Sequence, residues 1–324
     1  MIRSFSLFIG AALCCACSRP PTTALPPPAA ETPEPEQRSN GPRTALPAEL
    51  MPFRAQIDRS EQTYVAIAAN KQSGTSPWQS KFLGAPYMPQ GQPYPHGADG
   101  KPLILLAQIN FAEMPNLPDY PTSGIVQFFT SQEESSEHIY GALQATPDPV
   151  GARSAFNHML DQRYFRVIYH ANVVADATKL STPDASSRHD PGLPIMDEAA
   201  LRFETRREAV TVQDYRFGQF LGKPAGEFFA QFMAKESAVA TAYISYAGNW
   251  PLAKIGGYTN LVQHDPRLHT PNEDWLILLE IRSAGSDDDV DIAWGDNGVG
   301  VFFIRRADLQ RRDFSKVAYH WDNH

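Results

Sequence analysis

The chain has 324 residues and a formal net charge of -8 at pH 7. That length fits one large domain or two small ones, and the acidic balance excludes a general nucleic-acid role. Hydrophobic residues make up 42%, enough for a sizeable core, and no 18-residue apolar run occurs in the body of the chain, so no integral membrane span is expected.

The first predicted element is a leader. Met1 to Ser4 carries a single cation, Arg3, and Phe5 to Cys15 is almost wholly apolar yet too short to cross a bilayer. This is the n-region and h-region layout of a secretory signal. It runs into LCCACS (Leu13 to Ser18), which resembles the lipobox of bacterial lipoproteins, where cleavage precedes a Cys that receives the lipid. Ala16 supplies the small residue before the cut. Residues 1–16 are therefore read as signal peptide and Cys17 as the lipidation site, with Cys15 as the alternative. Ser18 resembles the signal for outer-membrane sorting. The expected location is the bacterial envelope, lipid-anchored, on the periplasmic face of the outer membrane if the host has two membranes. The three cysteines lie at 14, 15 and 17. The folded body thus has no disulfide, no Cys-ligated metal and no Cys nucleophile, which suits an oxidising compartment.

Residues 17–47 form the next segment. Nine of the thirty residues from Ser18 to Pro47 are Pro. Pro fixes φ and lacks an N–H, so helix and central strand are both excluded. An extended, polyproline-like, disordered tether is expected.

The body, residues 48–324, carries an internal repeat. KFLGAPY (81–87) resembles KIGGYTN (254–260), LLAQI (105–109) resembles ILLEI (277–281), GIVQFF (124–129) resembles GVGVFF (298–303), and RVIYH (166–170) resembles KVAYH (316–320). The blocks keep the same order, and the first copy carries an insertion between its third and fourth blocks. Two units, about 81–172 and 254–322, are expected to form one domain with pseudo-two-fold symmetry. The runs at 103–109, 125–129, 276–281 and 299–304 mix apolar, β-branched and aromatic residues and predict strands. At 317–321, alternation places Val317, Tyr319 and Trp321 on one face. Helices are predicted over 223–235, with Phe228, Phe229, Phe232 and Met233 on one side and Pro224 near the start, over 132–143, and over 307–314 with Asp308 as cap. The fold class is α+β: strand-rich, with helices packed outside.

Several motifs carry possible chemistry. Trp294-Gly295-Asp296-Asn297-Gly298 is a turn signal, and Asn-Gly between apolar runs favours a tight hairpin. Trp294 either packs or offers a stacking platform. Trp294, Asp296 and Asn297 have no counterparts in the first unit, so they are candidate ligand- or partner-binding residues. His264-Asp265-Pro266-Arg267 either gathers an imidazole, a carboxylate and a guanidinium for binding, or is a turn closed by Asp265 with Arg267 paired to an acid. Lys254 with Gly256-Gly257 could hold an anion, but without a following helix this is no phosphate loop. The acidic run at 286–291 could hold calcium through several oxygens or be a solvated tip. The nine His show no zinc-site spacing, so no metal and no cofactor are expected. No nucleophile elbow, dinucleotide fingerprint or Walker motif occurs.

The strings KIGGYTNLVQHDPR, LLEI, WGDNGVGVFFI and DLQRRDFSKVAYHWD, with SKFLGAPYMPQGQPYP and GKPLILLAQINFAEMPNLPDYPTSGIVQFF in the first half, resemble the YwqG-like family of bacterial proteins. The likeness spans roughly residues 60–322. It implies a compact α+β domain with internal duplication and unknown biochemical function. Members are mostly read as cytoplasmic, so the leader is a departure. Some relatives occur near secreted-toxin systems, which implies an immunity role through binding. Two functions are therefore carried forward. The first is a lipid-anchored envelope protein that binds a protein or peptide partner, in an antitoxin-like manner. The second is an envelope hydrolase or carbohydrate-processing enzyme using acidic residues in the crevice between the units.

Overall fold

A computed structural model of the chain describes residues 44–131, 138–143, 156–181, 192–248, 250–285 and 290–324. The leader, the tether up to residue 43, Cys17 and residues 286–289 of the acidic run lie outside the described residues. Among the described residues, no helix is long and apolar enough to cross a membrane.

The architecture is strand-rich. Ten strands form one antiparallel sheet: β1 (Gln62–Lys71), β2 (Lys81–Phe82), β3 (Ile104–Asn110), β4 (Ile125–Thr130), β7 (Phe165–His170), β8 (Ala199–Glu208), β9 (Ala253–Gly256), β10 (Trp275–Arg282), β11 (Val299–Arg305) and β12 (Ala318–Asp322). Their hydrogen-bonded order is β12-β11-β10-β9-β1-β8-β2-β3-β4-β7. Thus β1 and β8, paired along ten residues from Gln62–Glu208 to Lys71–Ala199, form the centre. β2, β3, β4 and β7 lie on the β8 side, and β9 to β12 on the β1 side. β3 and β10 each carry a bulge at the same place in their motif, between Leu105 and Ala107 and between Ile277 and Leu279.

β3 and β10 are buried almost throughout. Both faces are covered, so their sequences read as continuous apolar runs rather than alternating ones. The main core takes Val65 and Ile67 from β1, Leu106 and Ile109 from β3, Val126 and Phe128 from β4, and Phe302 and Ile304 from β11. Phe128 and Phe302 stand second from opposite ends of the strand order, yet their rings meet at 4.7 Å. The sheet therefore curls around its own core. Val317 and Tyr319 lie in this core and Trp321 packs against it, as the alternation at 317–321 predicts. On the other face, Trp275, Ile277, Val301 and Phe303 pack under Leu261 and Phe156.

Short helices form a separate layer: α1 (Arg54–Arg59), α2 (Phe217–Leu221), α3 (Ala225–Ala230) and α4 (Glu236–Ala247). They bury Leu50, Ile57, Phe217, Phe228, Phe229 and Tyr243 around Tyr258. A last helix, α5 (Arg306–Gln310), follows β11.

The structure corrects four local expectations. The helix expected over 132–143 is, in its described part, a hairpin of β5 (His138–Ile139) and β6 (Ala142–Leu143). Its two-residue loop is Tyr140-Gly141, both left-handed at φ 50 and 79, the geometry of a primed hairpin turn. The helix expected over 223–235 ends at Ala230. Met233 then takes φ 50 and is 82% exposed, so it leaves the apolar face that Phe228 and Phe229 share. Asp308 does not cap α5, which starts at Arg306; it sits buried in the first turn and accepts from Arg311. Finally, Asn297-Gly298 is not the loop of a tight hairpin. Residues 283–298 separate β10 from β11, and the Gly298 N–H closes a turn onto the Trp294 carbonyl at 2.9 Å.

Candidate functional site

The sheet's outer face holds a polar row in each half. In the first half, the Tyr87 N–H and the Gln127 amide both donate to Gln108 Oε1 at 2.8 Å, and Gln127 also donates to the Tyr87 carbonyl at 2.7 Å. Gln108 Nε2 donates to the Pro77 and Gln79 carbonyls. Gln127 Oε1 is 2.8 Å from His170 Nε2. Because that amide's nitrogen is already donating, its oxygen accepts, and Nε2 carries the imidazole hydrogen. Burial pushes the His170 imidazole down to about 4, so the ring is neutral near pH 7. Lys81, wholly buried, donates to the Ser76 and Ala85 carbonyls.

In the second half the buried polar groups are ionic. Lys254 donates to both oxygens of Glu208 (3.0 and 3.1 Å) and to the Tyr258 carbonyl. The Tyr258 N–H also donates to Glu208, at 2.6 Å. Glu280 accepts from the Thr259 hydroxyl at 2.7 Å and the Asn260 N–H at 3.2 Å, and lies 3.8 Å from Lys254. One turn on, Asp265 closes the turn by accepting from the Arg267 N–H at 3.0 Å. The Arg267 guanidinium bridges Asp265 and Asp214, each at 2.7 Å. It also donates to the Trp275 carbonyl and lies over the Phe303 and Tyr215 rings. Arg216 forks onto the two Asp214 oxygens at 2.8 Å.

Three cations (Arg216, Lys254, Arg267) and four carboxylates (Glu208, Asp214, Asp265, Glu280) thus meet beneath the loop at 258–267. Arg267 and its two Asp partners are 0% exposed at the side chain, a place where an unpaired charge is very costly. Burial opposes ionisation of Asp214, but the Arg216 and Arg267 guanidiniums overcome it and hold the carboxyl well below its usual range. The same attraction overcomes burial at Arg267 and raises its pKa. Glu208 behaves the other way. Burial outweighs Lys254 and pushes its carboxyl from 4.5 up to about 7, in keeping with one cation shared between Glu208 and Glu280.

Two backbone features make this close packing possible. Gly256 and Gly257 both have positive φ, at 78 and 75, and a Cβ on Gly257 would collide with Glu208. Leu83 and Gly84, which follow β2, also have positive φ, at 52 and 73. The two glycines therefore serve a bend and a close approach, while Lys254 holds carboxylate and carbonyl oxygens of its own chain.

The expected site residues divide into two sets. Lys254, Asp265 and Arg267 belong to the buried network. Trp294 is 0% exposed and packs edge-on against Tyr140 at 5.5 Å, with Tyr319 at 6.4 Å; its ring is part of the core. His264, Asp296 and Asn297 are exposed, and they lie around the C-terminal end of β12. Asp322 accepts from the Val262 and Gln263 N–H groups, Gln263 Nε2 donates to the Asn323 carbonyl at 2.9 Å, and the His324 N–H donates to the Asp296 carbonyl at 3.1 Å. Among the described residues, no group of three or more His, Cys, Asp or Glu could hold a metal ion.

A family model matches residues 80–323, which include both polar rows and the whole ionic network. The chain belongs to the DUF1963 family. That family is a domain of unknown function. A search of curated proteins gave no match. In this DUF1963 chain the central strand β1 precedes the matched span, although the sheet places it between β8 and β9.

Sequence reasoning missed Glu208, Asp214, Arg216 and Glu280. The available signal was acidic or basic residues set into apolar stretches, as in EAVTVQDYR (208–216) and LLEI (278–281). The network gives one pH prediction. Folded Glu208 keeps its proton up to about pH 7, whereas in the unfolded chain it is lost near 4.5. Its contribution to stability is therefore full below pH 4.5 and is lost as pH rises through 7. The wild type should lose on the order of 3 kcal/mol relative to Glu208→Gln between those limits. Urea unfolding of both proteins at several pH values checks this; parallel curves would contradict it.

Proposed function

We propose that this DUF1963 protein is a lipid-anchored envelope protein that acts by binding a protein or peptide partner, in the manner of an immunity factor. The observation that carries this reading is the division of the candidate residues. The buried acids are tied to cations, hydroxyls and backbone N–H groups of their own chain. The exposed polar residues His264, Asp296 and Asn297 gather at one corner around Asp322–His324. A rigid corner with mixed polar groups suits recognition of another surface. The alternative, a hydrolase or carbohydrate-processing enzyme, needs a pair of acids reachable by substrate. Glu208, Asp214, Asp265 and Glu280 are buried and engaged, which favours binding over catalysis.

The leader supports the envelope location, with Cys17 as the lipidated residue. We also infer that the domain arose by duplication, as the likeness to the YwqG-like family implies. The support is positional. Lys81 and Lys254 each donate to the carbonyl four residues on, Tyr87 and Asn260 each donate their N–H to the side chain at 108 or 280, and the bulges recur at corresponding sites. In this reading β1 and β8 are exchanged between the units, β1 pairing with β9 and β8 with β2.

The test is a pull-down from envelope extract with the wild type and with His264→Glu/Asp296→Lys. We expect the double variant to lose the partner that the wild type retains, while its unfolding free energy stays within about 0.5 kcal/mol, as for surface changes generally. Equal capture by both proteins would remove this corner from the reading.

A further inference from the structure

We propose that the helical layer carries a second contact surface, built on Met51 and Met233, that rests on the lipid bilayer holding the anchor. The inference depends on the lipoprotein reading above. Among the described residues these two are among the few exposed large hydrophobics, at 53% and 82%. Residues far apart in sequence are brought to one surface here. Glu49, two residues before Met51, pairs with Lys235, two residues after Met233, at 2.9 Å. Phe53 packs edge-on against Phe228 at 4.9 Å and Phe232 at 6.5 Å, fixing the two segments together.

The occupant follows from where the tether joins. The described chain begins at residue 44. Leu46 packs against the same helical cluster and Leu50 is buried in it. The point at which the described chain begins therefore lies on the layer that exposes Met51 and Met233. The expected polyproline-like spacer from Ser18 to Pro47 would reach at most roughly 100 Å, which bounds how far the domain can lie from an anchor at Cys17. At the resulting high effective concentration, a weak contact is populated. The neighbouring charges pair internally, Glu49 with Lys235 and Arg54 with Asp58. Without a surplus of cations, the surface fits a zwitterionic interface into which two flexible apolar side chains can sink, and it has little to attract anionic lipid.

The test uses the full, lipidated chain. Once Cys17 is acylated, the mature protein has no other thiol, so Ala234→Cys, an exposed position beside Met233, takes a single environment-sensitive fluorophore. The same label at Met196→Cys, an exposed site elsewhere (42%), is the control. The proteins are reconstituted into phosphatidylcholine–phosphatidylethanolamine vesicles containing a lipid-borne quencher. We expect loss of fluorescence at 234 and none at 196. Adding Met51→Glu and Met233→Glu to the 234 probe should restore the signal, with the protein still floating with vesicles. Unquenched emission at 234 in vesicle-bound protein would overturn the docking and leave the anchor standing. A concentration-dependent change at 234 in vesicle-free detergent solution would instead assign the surface to a second copy. A change that requires envelope extract would assign it to a protein partner. If the double variant Cys15→Ala/Cys17→Ala leaves membrane fractionation unchanged, the anchor reading fails and the docking proposal with it.

Discussion

Arg267→Ala is expected to lower the free energy of unfolding by about 3–5 kcal/mol, the usual cost of removing one partner from a buried ion pair. The loss has two sources. Asp214 and Asp265 are fully buried, and without Arg267 their charges share what remains, chiefly Arg216 on Asp214. The 258–267 loop also loses its fastening, because the guanidinium ties that loop to the Trp275 carbonyl and to the segment carrying Asp214. Arg267→Lys should recover only part of the loss. An ammonium keeps the charge but cannot span two carboxylates with a planar fork. The triple variant Asp214→Asn/Asp265→Asn/Arg267→Met separates charge from shape. If uncompensated charge causes most of the damage, the triple variant should be more stable than Arg267→Ala alone. Urea unfolding at pH 7 measures all three. A loss below about 1 kcal/mol for Arg267→Ala would mean that water or another cation reaches the two acids, and that the network is not closed.

The difference between what could and could not be read from the sequence follows from the range of the interactions. The strands at 104–110, 125–130, 275–282 and 299–305 were legible because burial on both faces writes itself as an unbroken apolar run. The Asp265 turn was legible because its partner is two residues away. Lys254 could be singled out, but Glu208 lies 46 residues from it, and no local pattern reports such a pairing. Asp214 and Arg216 were hidden for the same reason, since the Asp214–Arg267 bond spans 53 residues. The placement of β1 beside β9 was equally hidden. Strand neighbours are chosen by non-local pairing, and the four pairs of similar sequence blocks contain neither β1 nor β8. The β5–β6 hairpin was missed because polar residues before His138 suggested a helix surface, while the decisive signal was two residues, Tyr140-Gly141, taking left-handed φ.

Trp294→Ala is the second large effect expected, at about 3–5 kcal/mol, the range for truncating a buried aromatic ring. The ring fills the core between Tyr140 and Tyr319 and lies directly over Gly300, where an added Cβ would collide with it. That contact explains a glycine inside β11: the strand gives up a side chain so that the indole can lie against its backbone. Gly300→Ala alone should therefore cost about 1–3 kcal/mol by overpacking. The same change in a Trp294→Ala background should cost little, because the new methyl enters the space the ring has vacated. A double-mutant cycle reads this coupling directly. Trp294→Phe should lose less than Trp294→Ala. It keeps much of the ring and removes an indole N–H that, among the described residues, is buried without a hydrogen-bond partner, so no bonded donor is given up. If Trp294 served a ligand rather than the core, its removal would leave unfolding nearly unchanged and would not alter the cost of Gly300→Ala. On the present geometry Trp294 is a core side chain that fixes the turn, and Asp296 and Asn297 are the polar side chains the turn leaves exposed.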